Sequence, residues 1–106
     1  MLLSVVTTTF NSSQHIQEFI RRISNTLREN DQSFELIIVD DGSTDNTISL
    51  IKDYMKNQDF ITLIELSRNF GHHQAIKCGF ENAKGKLIFL IDSDLEEEPE
   101  LYTHFM

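Results

Sequence analysis

The acidic triplet Asp92-Ser93-Asp94 is the segment of this sequence whose residue types most directly suggest chemistry. It follows the apolar run Leu87–Ile91, which is typical of a strand buried on both faces. Two carboxylates at positions i and i+2 of a turn can face one point, and hard oxygen ligands select Mg²⁺ or Mn²⁺. Asp is also common in turns and helix caps, so the position of the triplet after a buried central strand is what favours a metal site.

A second acidic pair, Asp40-Asp41, follows another strand-like run. Acids at such strand-to-helix turns accept hydrogen bonds from ribose hydroxyls in nucleotide-binding sheets, and Asp40 could equally accept one from a nucleobase N–H. The next four residues, Gly42–Asp45, are interpreted as structural. They read as a turn, a helix cap at Ser43 or Thr44, and an acid in the first helical turn.

Two further polar segments follow strand-like runs. In the first, Thr8-Thr9-Phe10-Asn11, a threonine backbone and a flat aromatic ring could form a shelf beside a base. Phe10 would equally suit the core, and Asn11 would suit a helix cap. In the second segment, Arg68 could reach a phosphate or a ribose.

Alternating strands and helices are predicted to position these segments. Apolar runs predict strands at Leu2–Thr9, Phe34–Val39, Phe60–Leu66 and Leu87–Ile91. Apolar stripes predict helices around Ile16–Leu27, Ile48–Met55 and Ala75–Ala83. The inward-facing residues of the third helix are predicted to be Ala75, Ile76, Gly79, Phe80 and Ala83. Asn11 with Gln14 resembles a capping box for the first helix, and Gly85 is expected to end the third. This order predicts an α/β fold with a three-layer βαβ parallel sheet, whose ligands bind beyond the carboxyl ends of the strands.

Composition limits the classes of function. The chain has 106 residues and a net charge of −8, which fits one domain at most and argues against nucleic-acid binding, because that needs clustered Lys and Arg. Phosphate binding would need a cation to supply positive charge. No apolar run approaches the ~20 residues of a membrane span, and the N-terminus lacks the basic start of a signal peptide. The single Cys78 fits a reducing cytoplasm.

These motifs, in this order, resemble the family 2 glycosyltransferases, which have the GT-A fold. Val5–Asn11 matches the family's opening strand, Val39–Asp45 reproduces its V-D-D-G-S-T-D motif without change, and Asp92-Ser93-Asp94 matches its metal motif. Leu66–Gly71 and Ile91–Glu96 look most like the branch that transfers sugars to polyprenyl phosphates. The resemblance covers the whole chain. Thr8 stands where the family usually has Pro, and Phe10 where it more often has Tyr.

The resemblance implies a site. It places Thr9, Asp40 and Arg68 along the nucleoside, and Asp94 with Asp92 on the metal that holds the diphosphate, with Glu96 near the metal. We therefore predict that Thr8, Thr9, Phe10, Asn11, Asp40, Asp41, Arg68, Asp92 and Ser93 bind the nucleotide sugar, and that Asp92, Asp94 and Glu96 bind Mg²⁺ or Mn²⁺.

The implied reaction is an inverting transfer of a sugar from a UDP- or GDP-linked donor to a polyprenyl phosphate or a glycan. Residues 1–106 are interpreted as the N-terminal nucleotide-sugar-binding part of a truncated glycosyltransferase domain, because family domains are longer. No residue of the chain is a convincing catalytic base, so the isolated chain is not expected to turn over. We expect a cytoplasmic location, at the inner face of the membrane if the full-length protein associates peripherally with it, and we consider a homodimer.

Three other readings are weighed against this one. A NAD-binding Rossmann domain is disfavoured because the first turn lacks G-x-G-x-x-G. A Mg²⁺-dependent phosphate-handling domain would carry its key acids after the first strand, whereas here they follow the second and the fourth. A truncated, non-catalytic fragment that binds nucleotide, or that self-associates through an uncovered sheet edge, also fits the sequence.

Overall fold

Strands and helices alternate along the described residues, 2–85 and 87–90 of this computed structural model. In chain order they are β1 (Leu3–Thr9), α1 (Ile16–Glu29), β2 (Phe34–Asp40), α2 (Thr47–Met55), β3 (Ile61–Glu65), α3 (His72–Glu81) and β4 (Leu87–Leu90). The four strands pair in parallel in the order β3-β2-β1-β4. The predicted α/β class and parallel sheet are confirmed.

The central strands β1 and β2 supply side chains to both faces of the sheet, because successive strand residues point to opposite sides. On one face, Val5 and Ile38 pack with the fully buried stripe of α1 and with Ile51 of α2. On the other face, Val6 and Val39 pack with Ala75 of α3 and its neighbours. The predicted three layers are therefore present, with α1 and α2 on one side and α3 on the other.

The strand order reverses beside β1. The chain passes from β1 to β2 and then β3 on one side of the sheet, and it returns to β4 on the other side of β1. Ligands of open α/β sheets bind where the order reverses, outside the carboxyl ends of the strands. The loop that leaves β1 after Thr9 thus borders the expected binding crevice.

The predicted start of α1 and the predicted end of α3 are wrong. Helix α1 is preceded by His15, and no side chain caps it, so Asn11 and Gln14 do not form a capping box. Helix α3 ends at Glu81, four residues before Gly85. A Cβ on Gly85 would lie 2.6 Å from Ser4 Oγ, so this glycine provides space against β1 rather than a helix end.

Two predicted burials are also wrong. Phe80 was expected on the inner stripe of α3, yet it is 44% exposed. Strand β4 was expected to be a buried central strand, but Leu87 is 54% exposed, and Ile88 and Leu90 are also exposed. The reason is the position of β4 in the sheet and of α3 above it. Among the described residues, β4 pairs only with β1, and α3 packs over β1 and β2 instead of β4.

Gly79 of α3 allows this close packing of helix on sheet, which gives a testable prediction. A Cβ at Gly79 would lie 2.4 Å from Val6 Cγ1 and 3.3 Å from Val39 Cγ2. Gly79→Ala should therefore lower the free energy of unfolding, because overpacking costs about 1–3 kcal/mol and alanine gains only about 1 kcal/mol in helix propensity. Chemical denaturation measures the difference.

The matched background for this test is Val6→Ala, which removes the methyl group that the new Cβ would meet. In that background, Gly79→Ala should be much less destabilising, since the 2.4 Å clash is gone and the propensity gain is opposed only by the 3.3 Å contact with Val39 Cγ2. A stabilising effect of Gly79→Ala in the unsubstituted chain would contradict the packing explanation.

Candidate functional site

Three loops come together at the carboxyl edge of the sheet: residues 10–15 after β1, 41–46 after β2 and 66–71 after β3. The backbone N–H of Asp41 donates to Thr9 O at 2.8 Å, and that of Leu66 donates to Asp40 O at 2.9 Å. These bonds continue the strand pairing past the ends of β2 and β3. Most of the described segments that the sequence singled out therefore meet at one edge.

The Asp40 carboxylate is fully buried at this edge and is held by three hydrogen bonds. Its Oδ1 accepts from Thr9 Oγ1 at 2.9 Å and from Ser43 Oγ at 2.6 Å, and its Oδ2 accepts from Ser43 N at 2.8 Å. The structure thus brings the predicted site residues Thr9 and Asp40 into direct contact. A contact between Asp40 and a nucleoside stays a prediction.

Asn11 joins the loop after β1 to the loop after β2. It has a positive φ of 50°, a conformation that Asn tolerates better than most residues. Its N–H donates to Ser43 Oγ at 2.8 Å, and its side-chain carbonyl accepts from the N–H groups of Thr44 at 2.8 Å and Asp45 at 3.3 Å. Its role is to tie these loops, which explains why it does not cap α1.

The helix caps predicted for α2 are wrong for the same reason. Asn46 precedes α2 and makes no side-chain cap, whereas Ser43 is bonded to Asp40 and Thr44 to Asn11. From the sequence, Ser43 is predicted to be structural only. The missed signal is an acid followed three residues later by Ser, a spacing at which the Asp side chain can accept from a nearby backbone N–H.

Asp41 and Gly42 connect the loop after β2 to the loop after β3. Asp41 is nearly fully buried, and its Oδ1 accepts from the N–H of Phe70 at 2.8 Å. Gly42 has a φ of +83°, and a Cβ there would lie 2.6 Å from the carbonyl carbon of Arg68. The backbones of the two loops therefore touch, and only glycine fits between them.

The remaining described site candidates lie on the surface. Phe10 is 47% exposed, so the alternative that it belongs to the core is wrong, while a shelf beside a base remains compatible with it. Thr8 is half-buried. The Arg68 guanidinium lies 4.7 Å from the ring centre of the exposed Phe70, a cation–π stack at the edge of the site.

Asp45 sits at the outer end of the same loop network. Its carboxylate accepts from the backbone and side chain of Thr47 and from the N–H of Ser13, and Thr47 Oγ1 in turn accepts from Ser12 N. Burial alone would raise the pKa of Asp45, but the hydrogen bonds from Thr47 and Ser13 outweigh it and lower this pKa below its ordinary value.

A depressed pKa in the folded state makes stability depend on pH in a defined direction. The contribution of the Asp45 carboxylate is present above its unfolded pKa, near pH 4, and is lost as the pH falls through the folded pKa. Asp45→Asn should therefore flatten the fall in unfolding free energy below about pH 4. The effect is small because the residue is exposed. Urea denaturation at a series of pH values measures it.

The control for this pH series is Asp59→Asn, which removes an exposed acid at the opposite end of the sheet and makes the same change in net charge. Equal flattening in both variants would assign the effect to net charge instead of the Asp45 hydrogen bonds.

Comparison with known proteins bears on what this edge of the sheet does. The model of the family described as Glycosyl transferase family 2 matches residues 4–106. The chain belongs to this family. An undecaprenyl-phosphate 4-deoxy-4-formamido-L-arabinose transferase of Proteus mirabilis is 35% identical to this chain. The match covers 92% of this chain and 30% of the Proteus protein.

Solved structures of two glycosyltransferases share the fold. S. aureus TarS 1–349 in complex with UDP-GlcNAc superposes with a TM-score of 0.74 and 31% identity, covering 89% of this chain and 27% of that one. The mannosyltransferase PcManGT of Pyrobaculum calidifontis in complex with GDP-Man and Mn²⁺ superposes with a TM-score of 0.78 and 26% identity. The match covers 87% of this chain and 27% of PcManGT. This chain thus spans less than a third of the length of these relatives.

The predicted metal ligands Asp92, Asp94 and Glu96 lie outside the described residues, as does Ser93. Within residues 2–85 and 87–90, no group of three or more His, Cys, Asp or Glu side chains could hold a metal ion. Among these residues, the Asp40 and Asp41 side chains accept hydrogen bonds from N–H and O–H donors. In the same part of the chain, no helix is long and apolar enough to cross a membrane.

Proposed function

We propose that this chain forms the donor-binding part of an inverting, metal-dependent glycosyltransferase. The enzyme would transfer a sugar from a UDP- or GDP-linked donor to a polyprenyl phosphate or a glycan. The observation that carries the proposal is the buried Asp40 carboxylate, held by Thr9 and Ser43 where the loops after β1 and β2 meet. That edge is where open α/β sheets bind their ligands.

The donor would lie across the loops after β1, β2 and β3. Asp40 Oδ2 accepts one hydrogen bond among the described residues, and a carboxylate oxygen has a second lone pair that can accept from a nucleobase N–H or a ribose hydroxyl. Phe10 offers an exposed aromatic face, and Arg68 a cation near the same edge. The complexes of TarS with UDP-GlcNAc and of PcManGT with GDP-Man support a nucleotide-sugar donor.

The charge of the chain requires a cation at the diphosphate. With a net charge of −8, the protein would repel a nucleoside diphosphate unless a metal ion neutralised it. Asp92 and Asp94, with Glu96 nearby, would hold Mg²⁺ or Mn²⁺, and Mn²⁺ in the PcManGT complex supports this assignment. When bound, the metal acts as a Lewis acid for the charge that develops on the departing nucleoside diphosphate.

The Proteus relative, named for transfer to undecaprenyl phosphate, supports a lipid-phosphate acceptor. An already ionised phosphate needs less help from a general base than a hydroxyl does. Such an acceptor would place the full-length enzyme in the cytoplasm, at the inner face of the membrane. No residue of this chain is assigned as a catalytic base.

Calorimetric titration of the chain with UDP and with GDP, each with and without Mn²⁺, tests the proposal. We expect one nucleotide to bind in a Mn²⁺-dependent way, and we expect Asp94→Ala to remove this dependence because it deletes a proposed metal ligand. Asp59→Ala is the matched control, since it removes an exposed acid at the amino end of the sheet.

Three results would count against the proposal. If the folded chain binds neither UDP nor GDP, the proposed donor site is contradicted. Nucleotide binding of equal affinity with and without Mn²⁺ would contradict the proposed metal dependence. Equal losses in Asp94→Ala and Asp59→Ala would show that overall charge matters instead of the ligand.

A further inference from the structure

We propose that Ser43 is a positioning residue that sets the orientation of the Asp40 carboxylate toward the nucleoside of the donor. The inference rests on the proposed function and adds a residue to its machinery. Ser43 follows Asp40 by three positions and lies half-buried in the loop between β2 and α2.

Ser43 contacts both oxygens of the Asp40 carboxylate. Its hydroxyl donates to Oδ1 at 2.6 Å, and its backbone N–H donates to Oδ2 at 2.8 Å. Two bonds to different oxygens hold the plane of a carboxylate, whereas a single bond would let it turn about its Cβ–Cγ bond. The serine therefore limits rotation of the Asp40 side chain.

The bonding also distinguishes the two oxygens. Oδ1 accepts from Ser43 Oγ and from Thr9 Oγ1, so both of its lone pairs are used. Within the part of the chain that the structure describes, Oδ2 accepts only from Ser43 N, which leaves it one further lone pair. The Ser43 hydroxyl thus assigns Oδ1 to the protein and leaves Oδ2 as the atom for a ligand N–H or O–H.

The same hydroxyl connects Asp40 to the neighbouring loop. While it donates to Asp40, Ser43 Oγ accepts from the N–H of Asn11 at 2.8 Å. Asn11 in turn holds Thr44 through its side-chain carbonyl. Ser43 therefore couples the orientation of Asp40 to the position of the loop that carries Phe10. Loss of its hydroxyl would break this coupling, free a lone pair on Oδ1 and leave Asp40 held, among the described residues, by Thr9 Oγ1 and the Ser43 N–H alone.

The test compares three variants by titration with whichever of UDP or GDP binds in the presence of Mn²⁺. Ser43→Ala removes the hydroxyl and should weaken binding about tenfold, the order expected for one charge-assisted hydrogen bond. Ser43→Thr keeps the hydroxyl and should stay within about twofold of the unsubstituted chain. Ser12→Ala is the matched control, because the one hydrogen bond that its hydroxyl donates to a described residue is long, at 3.4 Å to Phe10 O.

All titrations are run well below the thermal midpoint of each variant, followed by circular dichroism, so that unfolding does not mimic lost affinity. The expected pattern is a loss in Ser43→Ala alone, with rescue by threonine. Unchanged affinity in Ser43→Ala, or an equal loss in Ser43→Thr, would overturn the positioning role while leaving the proposed function intact. If the unsubstituted chain binds neither nucleotide, the proposed function fails, and this inference fails with it.

Discussion

Replacing Gly42 with alanine is expected to lower the free energy of unfolding by roughly 2–5 kcal/mol. Two effects add. Gly42 has a φ of +83°, where an alanine is strained by about 1–2 kcal/mol. The added Cβ would also lie 2.6 Å from the carbonyl carbon of Arg68 and 2.7 Å from the nitrogen of Asn69. These are backbone atoms, so the strain is relieved only if the loops after β2 and β3 separate. Denaturant unfolding gives the energy.

Gly71→Ala is the control for backbone strain without a clash. Gly71 has a φ of +98°, and nothing lies within 4 Å of the position its Cβ would take. We expect it to cost about 1–3 kcal/mol from conformational strain.

Amide exchange provides a second readout, since loop separation in Gly42→Ala should expose the Phe70 N–H that now bonds Asp41. A cost for Gly42→Ala no greater than that for Gly71→Ala, with Phe70 still protected, would show that the loops do not touch as described.

Asp40→Ala is expected to lower the free energy of unfolding by roughly 2–3 kcal/mol, more than Asp41→Ala does. It is also expected to abolish nucleotide binding. It leaves three donors without their acceptor: the hydroxyls of Thr9 and Ser43 and the N–H of Ser43. Thr9 is almost fully buried, so water cannot readily replace the carboxylate at its hydroxyl. Removing a buried charge relieves some desolvation cost, but buried donors without partners outweigh that relief.

Asp41→Ala is the matched comparison, because the neighbouring acid is also buried but accepts a single described hydrogen bond, from Phe70. We expect a cost of about 1 kcal/mol. Thermal and urea unfolding of both variants, with titration of the nucleotide, test the ranking. If Asp41→Ala is as destabilising as Asp40→Ala, the number of hydrogen bonds does not account for the stability of this edge.

The architecture was predictable because its signal is local. A strand buried on both faces needs a continuous apolar run, and a helix on a sheet needs an apolar stripe, so β1 and the α1 stripe could be read from neighbouring residues alone. The same reasoning located the polar segments at the strand ends. Asp40 was assigned to the site on this basis, and it does lie at the carboxyl edge beside Thr9.

Side-chain partners were not predictable from local pattern. Asn11 was read as a cap for the helix that follows it, but its partners Thr44 and Asp45 lie more than 30 residues away. The motif containing Ser43 was recognised, yet its bonds to Asp40 and Asn11 depend on the close approach of two loops. A Ser, Asn or Asp in a loop can satisfy many donors and acceptors, and only packing selects among them.

By itself, the sequence determined the alternating elements, the parallel sheet, the family and the segments at which a donor site would form, since periodicity and motif order are properties of neighbouring residues. The tertiary structure decided that Asn11 ties two loops, that Gly79 and Gly85 make room for close packing, and that β4 carries exposed side chains. These outcomes depend on distances between elements far apart in the chain. Strand order and helix placement set those distances, and no local pattern encodes them.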